Sequence, residues 1–413
     1  MPTAPAGMPR ATACGMHQAT AARPDTRTLL AAGRPAQALS AAQAVAAAAS
    51  IQPALFDEAG QVDPSGALPS RSLTLLHTCG LLAAPLPESA GGAGLNAPRL
   101  RLSLLHVLAH LGRGSLPVGR LYEGHVNALA LIEAFAAPED AARWFADAAA
   151  GHLFAVWNTE DAAGLRLVND GPGRWQLQGA KTFASGVGTV GRALLTARDD
   201  AGGWQMMVLD TAVHQPAIDR SFWKPLGMRS TGSFRADFGQ INVRPGDLVG
   251  VAGDYYREPA FSAGAVRFAA VQQGGIEAVF DATRAFLSRL GRTDDLLQRA
   301  RLGEMAVCVA SGRQWLLAAA QHALVSAEPT ADTARAVAHA HLMRTAIETS
   351  AVLVLQLAAR SVGARGLLEP EPFQRLHRDL THYLRQAGPD AALTAAGAYV
   401  LAQPAPAHAL WNA

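Results

Sequence analysis

Two stretches of the sequence combine polar side chains, small residues and an aromatic in a pattern suited to holding a flat ring: FAVWNTEDAAG at 154–164 and LQGAKTFASGVGTVGRALLTARD at 177–199. Each reads as the end of a β-strand. An aromatic there can pack on a heterocycle while Thr and Ser hydroxyls and backbone N–H groups bond its edge. The plainer reading is that aromatics in strands pack against neighbouring side chains. Other chemistries have less support. GGAGLN at 91–96 and GARGLL at 363–368 are Gly-rich, but neither follows a strand in a βαβ unit or ends in a Lys-Ser pair, so neither reads as a nucleotide loop. His339 and His341 stand two residues apart on a helix, about 200° around its axis, which suits ordinary helix residues better than a shared metal, and no metal site is expected. Gly-x-Ser-x-Gly is absent and no Ser-His-Asp order is recognisable, so a hydrolase is not indicated.

The two stretches lie in a sheet-forming region flanked by helices. From about Thr28 to Ala150, segments such as LTLLHTCGLLAAPL and LRLSLLHVLAHLG place apolar residues three and four apart, the pattern of packed helices. PLPESAGGAGLN at 85–96 interrupts them as an ordered loop. Short β-type runs separated by Gly, Asp and Pro occupy 151–252, and the helical period returns over 253–413. Helices this long and apolar on more than one face pack as a bundle or across a subunit boundary. A chain of 413 residues is long for one compact core, which predicts two or three subdomains. Residues 1–27 read as a disordered leader without the apolar core of a secretory signal.

With 35 Lys and Arg against 33 Asp and Glu, the chain has no field that would gather nucleic acid or an anionic membrane. No apolar run reaches the roughly 18 residues a spanning helix needs. Cys14, Cys79 and Cys308 are odd in number and far apart, which fits a reduced, cytoplasmic setting. A soluble protein acting on small molecules is the expectation.

Several segments, taken in order, resemble the acyl-CoA dehydrogenase family. PLPESAGGAGLN is similar to the loop preceding that family's Gly-Gly-x-Gly-Leu turn, and WNTEDAAG to its Thr-Glu-Pro-Gly-Ala-Gly segment. LQGAKTFASG resembles its Gly-x-Lys-x-Trp-Ile-Thr-Asn strand turn, KPLGMRSTGSFRADFGQINVRPGDLVG its following strand pair, and SVGARGLLEPEPFQRLHRDL its Gly-Gly-x-Gly and Arg-Asp region. The match runs from about Thr28 to Ala396. It implies an α+β fold of three parts: an N-terminal helical domain, a central β-domain and a C-terminal four-helix bundle, assembled as a homodimer or homotetramer. FAD would lie between β-domain and bundle. Val156, Asn158 and Thr159 would flank its ring, with Phe183 in place of the family's Trp and Ser185 in place of its Thr. Gly363 and Gly366 would let the backbone approach the adenosine part of a cofactor shared across subunits.

The chain also departs from that pattern. Aligned on Arg378-Asp379, the family's catalytic Glu falls on Ala387, and the alternative location, just before an Arg on the first bundle helix, is Val266 preceding Arg267. Loss of a positioned base typically costs on the order of 10²- to 10⁴-fold. The Arg-x-x-Phe-Gly segment that helps bind a partner's FAD has no clean copy, leaving Arg289 as a stand-in, and Leu165 replaces a Ser. Three readings follow. The first is a dehydrogenase acting on an acyl-CoA thioester or similar small molecule by hydride transfer to flavin N5, with an electron-transfer protein as acceptor. Its base would be Glu123, His125, Glu160 or His382, assisted by Arg267. The second is a flavin-dependent monooxygenase of the same fold served by a flavin reductase, with His125 facing Ser185. The third is a non-catalytic scaffold. The plain alternatives are that His125 is a helix histidine bonded to a backbone carbonyl, and that Glu160, Lys181 and Arg229 are structural.

Overall fold

The computed structural model describes residues 38–322 and 331–411, so the expected leader and Cys14 lie outside the described residues. Ser40 opens the first helix with a reciprocal cap: its hydroxyl accepts the Gln43 amide while the Gln43 side chain accepts the Ser40 amide. The helices α1 (Ala41–Val62), α2 (Ser70–Thr78), α3 (Arg101–Gly114), α4 (Leu116–Phe135) and α5 (Pro138–Ala149) form the first region. The Pro- and Gly-rich segment between α2 and α3 holds only single 3-10 turns.

A nine-stranded sheet follows: β1 (Phe154–Trp157), β2 (Glu160–Asn169), β3 (Trp175–Ala184), β4 (Arg192–Arg198), β5 (Trp204–Asp210), β6 (Ala217–Asp219), β7 (Phe234–Asp237), β8 (Ile241–Val243) and β9 (Leu248–Val249). Its main path runs β6-β7-β3-β2-β4-β5-β9, antiparallel except where β4 meets β1 and β2. The register of β2 against β3 shifts between Glu160 and Leu165. There the Glu160 carboxylate takes the Leu165 amide at 2.8 Å, satisfying a donor that the bulge frees.

The chain ends in α6 (Ala260–Arg289), α7 (Leu296–Gln321), α8 (Ala331–Gly366), α9 (Pro372–Tyr383) and α10 (Pro389–Ala402). Helical, sheet and helical regions therefore come in the expected order. The three regions do not keep separate cores, as the chain length had predicted. One apolar cluster runs from Leu55 and Leu108 through Leu165 and Leu195 to Ile347 and Leu380, beside a smaller cluster around Ile132, Trp144 and Phe154. The two helical regions are joined by a close crossing of α3 and α6. A Cβ on Gly274 would stand 2.6 Å from the Arg113 amide, and one on Gly112 would stand 2.9 Å from the Val271 carbonyl carbon. Only glycine lets the two backbones meet.

The sequence reading also expected no segment long and apolar enough to span a bilayer. The stretch Thr333–Gly366 within α8 does reach that length and composition. In the fold it packs against α6, α7 and α10, which bury residues such as Ile347, Val354 and Ala358 and leave Val352 and Leu353 exposed.

Candidate functional site

A cavity of about 780 Å3 lies where sheet and bundle meet, within the ~300–1,000 Å3 common for small-molecule sites. Val156, Asn158, Thr159, Phe183 and Ser185 all line it, so both sequence stretches contribute to one site. The chain's two non-glycine residues with positive φ among those described, Phe183 at 52° and Met228 at 60°, are both in this lining. Backbone held in that region costs roughly 1–3 kcal/mol, and such strain gathers at functional sites.

The sheet wall is fixed from behind. Lys181 is fully buried in β3 and bonds the Asn158 carbonyl at 3.0 Å, the Thr196 hydroxyl at 3.2 Å and the Glu160 carboxylate. Thr196 in turn donates to the Asn158 side-chain oxygen at 2.6 Å, and the Asn158 –NH2 reaches the Tyr256 hydroxyl at 3.5 Å. Trp157 pins the Ser185 carbonyl through its indole N–H at 2.9 Å. Ser185 then begins a chain of hydroxyls: Oγ to Ser233 Oγ at 2.9 Å, Ser233 Oγ to Thr231 Oγ1 at 2.8 Å, and Thr231 Oγ1 to the Met228 carbonyl at 2.9 Å. Phe183, 48% exposed, meets Phe222 and Trp223 edge to face, and Trp223 meets His382 in the same way.

The helical wall carries charge. Arg120, Glu123, Asn127 and Leu131 recur at three and four residues along α4 and so share one face, which lines the cavity. Arg120 pairs with Glu123 at 2.5 Å, Asn127 donates to the same carboxylate, and Arg267 Nε donates to the Asn127 amide oxygen. Burial pushes Arg267 down to a pKa of about 10. Glu258 accepts the Ser262 amide at 3.0 Å and hydroxyl at 2.7 Å, satisfying the first turn of α6. Arg344 reaches the Ala387 carbonyl at 3.1 Å and lies over the Phe268 ring. Tyr383 is 2% exposed and its hydroxyl has no partner among the described residues, while the Gln272 amide holds its carbonyl at 2.9 Å. Ala387 and Gly388 line the cavity too, so the alanine stands in the site itself.

Several expectations need correction. His125 is fully buried and away from the lining: its Nδ1 accepts the Phe154 amide at 3.1 Å and its Nε2 donates to the Leu82 carbonyl at 2.8 Å. Both nitrogens are spent on backbone, and the ring cannot face Ser185. The physical reason is helix phase, since His125 lies two residues from Glu123, about 200° around α4. Glu160 is also outside the lining, committed to Lys181 and the bulge. Arg289 bonds both oxygens of Glu371 at 2.7 Å. Gly363 and Gly366 sit near the end of α8, outside the cavity, and their expected contact concerns a neighbouring subunit. Arg267 and His382, for which a catalytic part was expected, both line the cavity, with His382 held below its ordinary pKa by burial. Tyr383, Arg120, Asn127, Arg344 and the Ser233–Thr231 pair were not singled out from the sequence. The α4 spacing held a readable signal for two of them.

The lining suits an isoalloxazine: an aromatic wall, a side-chain amide and a chain of hydroxyls. No curated protein matches the chain in sequence. Among solved structures, FMN-bound TdsC from Paenibacillus sp. A11-2 superposes with a TM-score of 0.78 at 18% identity, over 89% of this chain and 100% of that one. Butyryl-CoA dehydrogenase from Megasphaera elsdenii gives 0.76 at 18%, over 87% and 98%. Methanesulfinate monooxygenase MsuC from Pseudomonas fluorescens gives 0.75 at 20%, over 91% and 100%. At such identity these likenesses speak for the fold, which therefore houses both dehydrogenases and monooxygenases. Residues 37–152 match the family model for the acyl-CoA dehydrogenase N-terminal domain and residues 253–399 that for its C-terminal domain. With those matches on both sides of a sheet in the expected place, the chain belongs to the acyl-CoA dehydrogenase family.

Proposed function

We propose that the chain is a flavin-dependent monooxygenase, which takes reduced flavin from a separate reductase and places one atom of dioxygen in a small substrate. The acid–base inventory of the cavity carries this reading. Ala387 offers a methyl group where a dehydrogenase of this family needs a carboxylate, and both glutamates of the lining are engaged, Glu123 by Arg120 and Asn127, and Glu258 by Ser262. With no lining carboxylate free to act, the neutral His341 and His382 are the bases that remain, and α-proton removal from a thioester without the family's positioned carboxylate would run roughly 10²- to 10⁴-fold slow. Oxygenation does not require that proton.

When bound, a reduced flavin supplies two electrons to dioxygen, one atom of which enters the substrate while the other leaves as water. The direction of the hydroxyl chain supports a reduced ligand. A carbonyl only accepts, so Thr231 donates to Met228; Ser233 must then donate to Thr231, and Ser185 to Ser233. Ser185 Oγ is left with a lone pair facing the cavity. Reduced flavin has an N–H at N5 to meet it, whereas oxidised flavin has only an acceptor there. Phe183 and Trp223 of the lining would pack against a bound ring, with Phe222 backing Phe183 edge to face, and the Asn158 –NH2, now 3.5 Å from the Tyr256 hydroxyl, would be a donor for a ring-edge acceptor. The isoalloxazine is the portion that the lining matches, and the arginine expected beside an adenosine half is bonded to Glu371. FMN is therefore the proposed form, rather than FAD.

The test is an anaerobic titration of the full chain with oxidised and photoreduced FMN, followed by oxygen-consumption assays with candidate substrates. Reduced FMN should bind about tenfold more tightly, and Ser185→Ala should remove most of that preference, the worth of one hydrogen bond. Anaerobic bleaching of bound flavin by any of a panel of acyl-CoA thioesters would sink this reading and restore the dehydrogenase, with Glu123 as base. Absence of turnover in either assay would favour the scaffold.

A further inference from the structure

The helical wall also describes the substrate, an inference that takes only the reaction from the reading above. Four arginines line the cavity, Arg120, Arg267, Arg344 and Arg385, against two glutamates, Glu123 and Glu258. Arg120 is matched by Glu123 at 2.5 Å and Arg385 by Glu348, from outside the lining, at 2.6 Å. Among the described residues, the hydrogen bonds of Arg267 and Arg344 go to neutral oxygens, the Asn127 amide and the Ala387 carbonyl. Counting Glu348, four guanidinium groups face three carboxylates. His341 and His382, both held below their ordinary pKa by burial, add no charge near neutral pH. An unmatched guanidinium in a half-buried wall is unfavourable until an anion joins it.

Tyr383 is an independent sign. Its hydroxyl is buried in the lining without a partner among the described residues, whereas buried polar groups in native proteins are nearly always bonded. Arg120, Arg267 and Tyr383 each interact electrostatically with Glu123, which places them in one cluster. Guanidinium N–H and phenol O–H groups are donors that suit a shared oxygen acceptor.

We propose that the substrate bears a small oxyanion, a carboxylate or a group of like shape and charge, bound by the Arg267 guanidinium and the Tyr383 hydroxyl. The experiment is calorimetric titration of the full chain, with and without FMN, using benzoate and its uncharged counterpart benzamide as probes. Benzoate should bind at least about tenfold more tightly. Arg267→Met should weaken benzoate by roughly 10- to 100-fold and leave benzamide unchanged, with partial rescue by Arg267→Lys. Tyr383→Phe should weaken benzoate about tenfold without lowering Tm, because no protein hydrogen bond is lost. Equal affinity of the two probes for the unaltered chain, or heat from neither at millimolar concentration, overturns the proposal. A parallel comparison of FMN with riboflavin separates the other source of anion: if Arg267→Met weakens FMN but not riboflavin, the cation serves the cofactor phosphate and the proposal fails. Benzoate preference in a chain that binds no flavin leaves the oxyanion site standing and removes the monooxygenase. Tight reduced-FMN binding with no preference between the probes does the reverse.

Discussion

His125→Ala is expected to lower folding stability by about 3–5 kcal/mol, the range for removing a large buried ring and stranding backbone groups that it bonded. The Phe154 amide and the Leu82 carbonyl would both lose their partner, one at the start of β1 and the other in the loop after α2. The site should survive this change in whatever fraction remains folded, because the ring faces away from the cavity. The native ring also makes stability fall with acid. Burial pushes its pKa down to about 4 from 6.5. Above about pH 6.5 neither native nor unfolded chain holds the proton. Between 6.5 and 4 the unfolded chain takes up a proton that the native chain refuses, so stability is lost as pH falls, by roughly 3 kcal/mol in all. Urea denaturation at pH 7.5 and pH 5 measures both effects, and His125→Ala should flatten the difference between the two pH values. A variant with unchanged denaturation midpoint and a hundredfold loss of turnover would return His125 to the catalytic role.

That residue marks the boundary of what the sequence could convey. The sheet wall was legible because its residues are contiguous at strand ends: Val156, Asn158 and Thr159 follow one another, and Phe183 and Ser185 flank one turn. Their placement needed only the strand pattern and the motif order. The helical wall draws residues from α4, α6, α8, α9 and α10, far apart in sequence, and along α4 and α8 which of them face inward depends on helix phase set by packing. His125 looked functional by position in the chain, yet phase puts Arg120, Glu123 and Asn127 in the cavity and His125 in the core. Ala387 was read correctly as a pocket position, since it sits on the short connection from α9 to α10. The unpartnered state of Tyr383, one residue beyond His382, is a tertiary fact with no sequence signature. The joining of the two helical regions likewise rests on Gly112 and Gly274, whose importance appears only when the crossing of α3 and α6 is known.

Gly227→Ala should be nearly as damaging as loss of the histidine, and should reach the site as well. Gly227 is buried against α9: a Cβ there would overlap the Arg378 carbonyl and stand 2.6 Å from the Asp379 amide. Those are helix backbone atoms, which cannot rotate aside. The next residue, Met228, holds its positive φ because the Asp379 carboxylate takes its amide at 2.6 Å and Thr231 bonds its carbonyl. Burial raises the Asp379 pKa to about 6, so the bond to the Met228 amide is made by a carboxylate with little solvent to compete for it. Nearby, Arg378 pairs with Asp63 at 2.5 Å, fastening the same turn of α9 to the end of α1. Pushing the Met228 loop off α9 would break that joint and carry with it the carbonyl on which the Ser185–Ser233–Thr231 chain ends. Overpacking against rigid backbone is worth about 3 kcal/mol here, and a displacement near 1 Å in the lining costs about a hundredfold in turnover. Gly397→Ala is the control. It sits in α10 with nothing within 4 Å of the added methyl, and should gain about 0.5–1 kcal/mol from helix propensity alone. Thermal melts and reduced-FMN titrations of both variants decide the matter. If Gly227→Ala melts and binds like the unaltered chain, the contact between the Met228 loop and α9 does not set the shape of the cavity.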